Sequence, residues 1–362
     1  MIDFARSLIA FIIVLGVLVT VHELGHYLVA RWRGVAVEAF SVGFGPALLS
    51  RTDRHGTVWK LSAIPLGGYV RMKGWAELGG AASGEDDSGS FRTKPLGSRA
   101  LIVAAGPAAN LILAFVIYSL IFMTAGAPVV RPVISQVLAD SPAAAAGLVK
   151  GDRIVSIDGT PVKTFREIQK IILPRPNDRI AITFSHDGVT AGTNLTTKSR
   201  MMDGKAVGEL GIVGADVTYQ RLMPPAAVAA GAKETWVVTA ATLDGLWNLV
   251  AHRKGVNDLG GPVRIAQISG QAAALGLVDF VSFIALLSIN LGLLNLVPIP
   301  ILDGGHLLFY AAEAVYGRSL PRRVQEIGIQ IGAAILAMLI IFVTWHDLGH
   351  IGLIQWISHL PG

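Results

Sequence analysis

Four stretches of this chain are long and apolar enough to cross a lipid bilayer as helices, and this limits the fold more than any other feature. They cover residues 4–30, 100–125, 280–297 and 327–345. A span needs about 20 apolar residues, because hydrocarbon offers the backbone no hydrogen-bond partner outside its own helix. From Leu8 to Val21 there is no charged residue at all. Charged residues make up 15% of the chain, against roughly 25% in soluble domains. The expected fold is a polytopic α-helical membrane protein with four transmembrane helices. The absence of cysteine excludes disulfides and thiolate metal sites. The net charge of +5 is modest, and the basic residues do not interleave with aromatics, so no nucleic acid is expected as partner. Basic loops facing anionic membrane lipid account for the charge more simply. The first apolar run is too long for a secretory signal and lacks a small-residue cleavage site, so it reads as a retained span.

Charge sets the expected orientation. Residues 31–99 carry ten Lys and Arg, and the loop before the fourth span carries Arg318, Arg322 and Arg323. The positive-inside rule places both in the cytoplasm. The expected layout is a first span within 1–30, a cytoplasmic loop over 31–99, a second span over 100–125 and an outer domain over 126–216. An outer amphipathic helical region follows at 217–279, then a third span at 280–306, a cytoplasmic loop at 307–326, a fourth span at 327–345 and an outer tail at 346–362. In the first loop, β-like apolar runs at 39–49 and 57–72 predict a hairpin, and 77–90 reads as a flexible acidic Gly/Ser linker. In the outer domain, strand-like runs alternate with turns and one short helix at 165–173. Residues 224–276 predict amphipathic helix on the membrane surface. Trp236, Leu243, Leu246 and Trp247 form its apolar faces, and Lys233, Glu234 and Asp244 argue against a fifth span.

The chemistry starts at His22-Glu23-Leu24-Gly25-His26, an H-E-x-x-H pattern continuing the first apolar run. Helix positions i and i+4 share a face, so His22 and His26 can hold one metal ion, with Glu23 placed as general base. Ionisable side chains inside a span are costly and point to function. Catalytic zinc takes three protein ligands and keeps one open position. The third candidate is Asp303, in Asn295-Leu-Val-Pro298-Ile-Pro300-Ile-Leu-Asp303-Gly304-Gly305-His306, where two prolines break the third span and two glycines permit close backbone approach. Irregular backbone at that depth belongs in protein or beside a watery cavity. Counted inward from the outer face, His22 lies about 18 residues deep, or roughly 27 Å, and Asp303 lies 23 residues past Phe280, so the two can meet. Asn290 and Asn295 are polar residues of the third span. They can bind substrate backbone or an oxyanion, or simply join helices. His346-Asp347-Leu348-Gly349-His350 repeats the spacing but has Asp where the base should be, and reads as an interfacial feature. His306 reads as structural or supporting rather than as a ligand.

Taken together, His22–His26, Ala105-Gly106-Pro107-Ala108-Ala109-Asn110 and Asn295–His306 resemble the site-2 proteases, and the chain resembles the bacterial regulator-of-sigma-E protease type. Phe44-Gly45-Pro46, Gly67–Met72 and Gly261-Pro262 are similar to that group's loops. The resemblance implies one Zn²⁺ on His22, His26 and Asp303, with Glu23 as catalytic base. It implies a membrane-dipping hairpin in which Gly67, Gly68, Tyr69 and Val70 pair with an extended substrate segment. It implies cleavage of single-span membrane proteins, such as anti-sigma factors already cut by an upstream site-1-type protease, or remnant signal peptides, in a bacterial inner membrane. The outer segment resembles one periplasmic α+β PDZ domain through Ser141–Leu148 and Gly151–Gly159. Gly208, Leu210, Gly211 and Ile212 are its candidate carboxylate-binding loop, and steric exclusion of bulky substrates is the other reading. The best-known members carry two such domains; this chain has room for one. The competing functional classes are a non-enzymatic membrane PDZ scaffold, which has no use for Glu23, and a metal transporter, which needs more polar residues across the membrane than these spans offer.

Overall fold

The computed structural model describes residues 2–75, 88–202, 205–252 and 260–350. It forms two compact units, Met1–Ile121 with Pro225–Gly362, and Phe122–Pro224. The expected acidic linker lies mostly outside the described residues, as do the outer tail from residue 351 and the side chains of His346 and His350.

The first unit opens with α1 (Ile2–Trp32). Ala10, Val14, Leu18, His22, His26 and Ala30 are buried along it at every fourth position, one stripe of a 3.6-residue helix. Phe4, Leu8, Ile9, Ile13 and Leu28 are exposed on its other faces. An apolar exterior around a stripe that carries two imidazoles is suited to lipid rather than water.

Two strands follow, β1 (Val37–Thr52) and β2 (Val58–Met72), paired antiparallel as the alternating runs predict. Both are long and fold back on themselves. Phe40 lies between Val70 and Trp59, and Ser41 between Tyr69 and Lys60, so the first half of β1 is flanked by both halves of β2. Residues 68–72 therefore form a sheet edge among the described residues. Asp53 organises the turn: its carboxylate accepts from the His55 and Thr57 amides at 2.8 and 3.0 Å and from the Trp59 indole at 3.0 Å. Tyr27 of α1 packs edge-on against Phe40 and Trp59, which fixes the sheet to the helix bearing the H-E-x-x-H pattern.

Next comes α2 (Leu96–Thr124), with Pro107 inside it. The second unit begins with β3 (Ala127–Val130), β4 (Gln136–Val137), α3 (Pro142–Ala145), β5 (Arg153–Ile157), β6 (Thr160–Pro161) and α4 (Phe165–Ile172). It continues with β7 (Arg179–His186), β8 (Val189–Thr196), β9 (Lys198–Met202), β10 (Lys205–Glu209), β11 (Ile212–Val213) and β12 (Val217–Gln220). Its main sheet has the order β6-β5-β7-β8. Ile154, Ile157, Ile180 and Ile182 of that sheet share a core with Ile168 and Ile172 of α4. A reciprocal cap between Thr164 and Glu167 starts α4, where the short helix was expected.

The first unit then resumes with α5 (Pro224–His252), α6 (Pro262–Leu275), α7 (Leu277–Asn295), α8 (Asp303–Tyr316) and α9 (Arg322–His350). Among the described residues, four helices, α1, α2, α7 and α9, are long and apolar enough to cross a membrane, as many as the expected spans. The third stretch is interrupted where its prolines predict: α7 stops at Asn295, residues 296–302 are irregular, and α8 starts at Asp303 and continues to Tyr316, into the segment expected to connect the third and fourth spans. Pro298 and Pro300 end the first helix, and an acidic side chain in the first turn favours the second. The helical stretch expected over 224–276 contains two helices, α5 and α6. Gly231 of α5 lies against Ser119 of α2, and Thr242 donates to Asn290 of α7 at 3.0 Å, so α5 touches two of the spans. α6 lies against α1, Gly270 on Ser7, and its first turn is capped by Asp347 of α9, which accepts from the Arg264 amide at 3.1 Å.

Candidate active site

One turn of α1 and the first residue of α8 meet beside α2. The Nε2 atoms of His22 and His26 are 3.2 Å apart. Asp303 Oδ2 lies 3.1 Å from His22 Nε2 and 3.6 Å from His26 Nε2. Four ligands about 2.0–2.1 Å from a zinc ion form a tetrahedron with edges of about 3.3–3.4 Å, so these three atoms stand close to three of its corners. Asp303 Oδ2 is buried without a hydrogen-bond partner, and an incoming cation would satisfy it by coordination. This is the only group of three or more candidate metal ligands among the described residues.

The histidines are aimed from behind. Nδ1 of His26 lies 2.8 Å from the main-chain oxygen of Ile102 in α2. A carbonyl only accepts, so Nδ1 carries the proton and the Nε2 lone pair faces the cluster. Nδ1 of His22 lies 3.3 Å from the side-chain amide of Asn110. Beneath both rings lies Gly106. A β-carbon there would overlap His26 Nε2 and stand 2.8 Å from His22 Nε2, so the ligand pair requires glycine at this position. Gly25 performs a similar service between the helices, since a side chain on it would overlap the Ala105 carbonyl.

Glu23 sits beside the cluster, and its Oε2 accepts from the main-chain N–H of Val70 at 3.0 Å. That N–H lies on the edge of the β1–β2 sheet. The cleft in front of the cluster measures about 360 Å³, is walled by Tyr69, Val70, Met72 and Trp75 on one side and Leu291, Asn295, Ile301 and Leu302 on the other, and reaches His22, Glu23, His26 and Asp303. Such a cleft can admit an extended peptide along a sheet edge that ends at an acid–base group.

The expected residues separate on inspection. His22, Glu23, His26, Asp303, Tyr69, Val70 and Asn295 share the cleft. Gly67 and Gly68 do not line it; Gly67 packs on the Phe44 ring, and Gly68 begins the sheet edge, close against the Ser41 carbonyl. Asn290 does not line it either, its side chain being turned to Thr242. His306 packs on Trp75 with ring centres 5.4 Å apart and is not one of the converging groups. In the other unit, Gly208, Leu210, Gly211 and Ile212 line a groove of about 130 Å³ against Phe165, Ile168 and Ile172 of α4. Sequence reasoning gave no role to Gly106, Asn110, Met72 or Trp75. Asn110 carried a signal of its own, an amide in an otherwise apolar span.

A model of the peptidase family M50 matches residues 10–339. A relative from Agrobacterium fabrum, provisionally named a zinc metalloprotease, is 42% identical over 94% of this chain and 95% of its own length. The regulator of sigma-E protease RseP from Salmonella typhimurium is 32% identical over 96% of this chain and 99% of its own. That alignment runs over 449 positions against 362 residues here, so the Salmonella protein contains sequence with no counterpart in this chain. Among solved structures, the PDZ domain of an SdrC-like protein from Listeria monocytogenes is 28% identical, covering 23% of this chain and 86% of that one with a TM-score of 0.21. With the match running nearly end to end, the chain belongs to peptidase family M50 and is a zinc metalloprotease.

Proposed function

We propose that this chain is an intramembrane endopeptidase that cuts the transmembrane segments of single-span membrane proteins, with His22, His26 and Asp303 as its zinc ligands and Glu23 as its base. The observation that carries this is the convergence of three ligand atoms within 3.6 Å of one another, beside a carboxylate and a sheet edge. Zinc, when bound, supplies Lewis-acid chemistry, activating water and polarising the scissile carbonyl. Glu23 accepts the water proton and returns it to the leaving amine. Asn295 donates to the oxygen that gains charge at the scissile carbonyl. Gly68 to Val70 offer main-chain groups to a substrate that has unwound from helix to strand, which satisfies the backbone groups freed by unwinding.

The substrate class is that of the sigma-E regulators: anti-sigma factors trimmed by an earlier protease, and remnant signal peptides. The host membrane is a bacterial inner membrane, with the termini and the 122–224 unit outside and the site toward the cytoplasmic face, as the positive-inside count favours. The 122–224 unit acts as a PDZ domain, with the groove at Gly208–Ile212 receiving a chain terminus or the domain's bulk excluding untrimmed substrates. The test is cleavage of a single-span anti-sigma factor by the purified protein in proteoliposomes, with and without its outer domain. The proposal requires cleavage of the trimmed form and little of the full-length form. Equal cleavage of both would remove the requirement for an earlier cut, and cleavage of neither, by zinc-loaded protein, would remove this substrate class.

A further inference from the structure

His26 is oriented by a main-chain carbonyl, but His22 has no such partner. What faces its Nδ1 is the side chain of Asn110, a fully buried residue of α2, with the amide nitrogen at 3.3 Å. The other atom of that amide, Oδ1, is buried and has no hydrogen-bond partner. These two facts conflict with ligation by His22. A neutral imidazole has one N–H and one lone pair. If Nδ1 accepts from the amide, the proton sits on Nε2, the atom 3.1 Å from Asp303 Oδ2, and no lone pair remains for a metal. If Nε2 gives its lone pair to a metal, the proton sits on Nδ1 and needs an acceptor. A half-turn of the Asn110 amide brings Oδ1, the unpartnered atom, to that position, where it can accept the proton, and puts the NH₂ group where Oδ1 was. The helix backbone there is already held, because Ser288 of α7 donates to the Asn110 carbonyl at 2.7 Å. The side chain is therefore free to serve the imidazole alone.

We infer that Asn110 is a positioning residue for the metal site: its side-chain oxygen accepts the Nδ1 proton of His22 and so fixes the tautomer and ring angle that aim Nε2 at zinc. The inference rests on the proposed ligation by His22. Groups behind a ligating histidine commonly change metal affinity about 10–100-fold when removed.

The test is zinc affinity of the full-length protein in detergent, by competition with a chelator, for wild type, Asn110→Leu, Asn110→Asp and His22→Ala, with thermal unfolding of each metal-free protein alongside. Asn110→Leu keeps the branched shape of the side chain and loses the acceptor, so its zinc Kd is expected to rise about 10–100-fold relative to wild type. Asn110→Asp keeps the acceptor and loses the donor, so it is expected to bind zinc as tightly as wild type or more so. A tenfold weaker Asp variant would mean that the NH₂ group is what His22 uses, and would overturn the inference whether or not the Leu variant folds. Wild-type affinity in Asn110→Leu with a large loss in His22→Ala would overturn it while leaving the zinc site intact. Wild-type affinity in His22→Ala would overturn the site itself.

Discussion

Glu23 is held in the resting protein by a main-chain N–H that a substrate strand would also seek, so the proposed base and the substrate edge are tied through one hydrogen bond at Val70. Replacing Glu23 by Gln preserves volume and removes the proton acceptor. Cleavage should fall by at least about 10²–10⁴-fold while zinc content stays at the wild-type level. Normal turnover by that variant, measured on the same substrate, would remove Glu23 from the chemistry. Gly106 gives a second test at this scale. Alanine is a better helix former than glycine by about 1 kcal/mol, so Gly106→Ala should keep or raise helix content yet lose zinc, because its β-carbon occupies the space of both imidazoles. Zinc binding unchanged in that variant would show that the rings do not sit where the structure has them. The ligand candidates were legible in the sequence because i, i+4 spacing and polar groups at membrane depth are local signals. The two asparagines of α7 were only half legible. Five residues turn a helix by about 140°, so Asn290 and Asn295 cannot face the same cleft, and Asn290 meets Thr242 instead. The part played by Gly106 depends on which face of α2 docks on α1, which no local pattern reveals.

Among the elements, α8 matters most and was least expected. It begins at Asp303 and is tied to the start of α2 by an ion pair, Arg99 to Glu313 at 2.9 Å, with both side chains largely buried. The Arg99 guanidinium also lies over the Tyr310 ring, 4.9 Å from its centre. This pair sets α8, and with it Asp303, against the helix that bears Gly106 and Asn110. Arg99→Met alone should cost about 3–5 kcal/mol by leaving a buried carboxylate unpaired, and Arg99→Met with Glu313→Leu should recover most of that. Equal thermal unfolding of all three proteins would deny the pair any such role. The hairpin makes a prediction about pH. The Trp59 indole, with the His55 and Thr57 amides, holds the Asp53 carboxyl at about 2, below its ordinary 3.8. A depressed carboxylate stabilises its surroundings above its ordinary value, and that contribution is lost as pH falls through the folded value. The Trp59 indole N–H resonance should therefore titrate with a midpoint near 2 and lose its pH dependence in Asp53→Ala; a midpoint near 4 would contradict the assigned bonds. The hairpin was legible from alternation and turn residues. The continuation of helix to Tyr316 was not, because Pro298 and Pro300 mark where a helix stops and give no sign that another starts at once.

At the scale of the whole molecule, two features of the sequence come from different physics. Lipid exposure produces the four apolar runs, and they were readable because a bilayer imposes length and composition on every span. The 122–224 unit is a separate body with its own isoleucine core, where turns and alternation led to the expectation of a domain over 126–216. How the chain brings residues 22, 26 and 303 to one point was accessible from the sequence only through depth counting, which says nothing of directions around each helix. That convergence is the central claim, and metal analysis of the detergent-purified protein tests it most directly, with wild type measured beside His22→Ala and Asp303→Ala. The account predicts about one zinc per wild-type chain and a large loss in both variants, which joins α1 and α8 in a single site. A full complement of zinc in Asp303→Ala would leave a site on α1 and contradict the claim that α8 completes it.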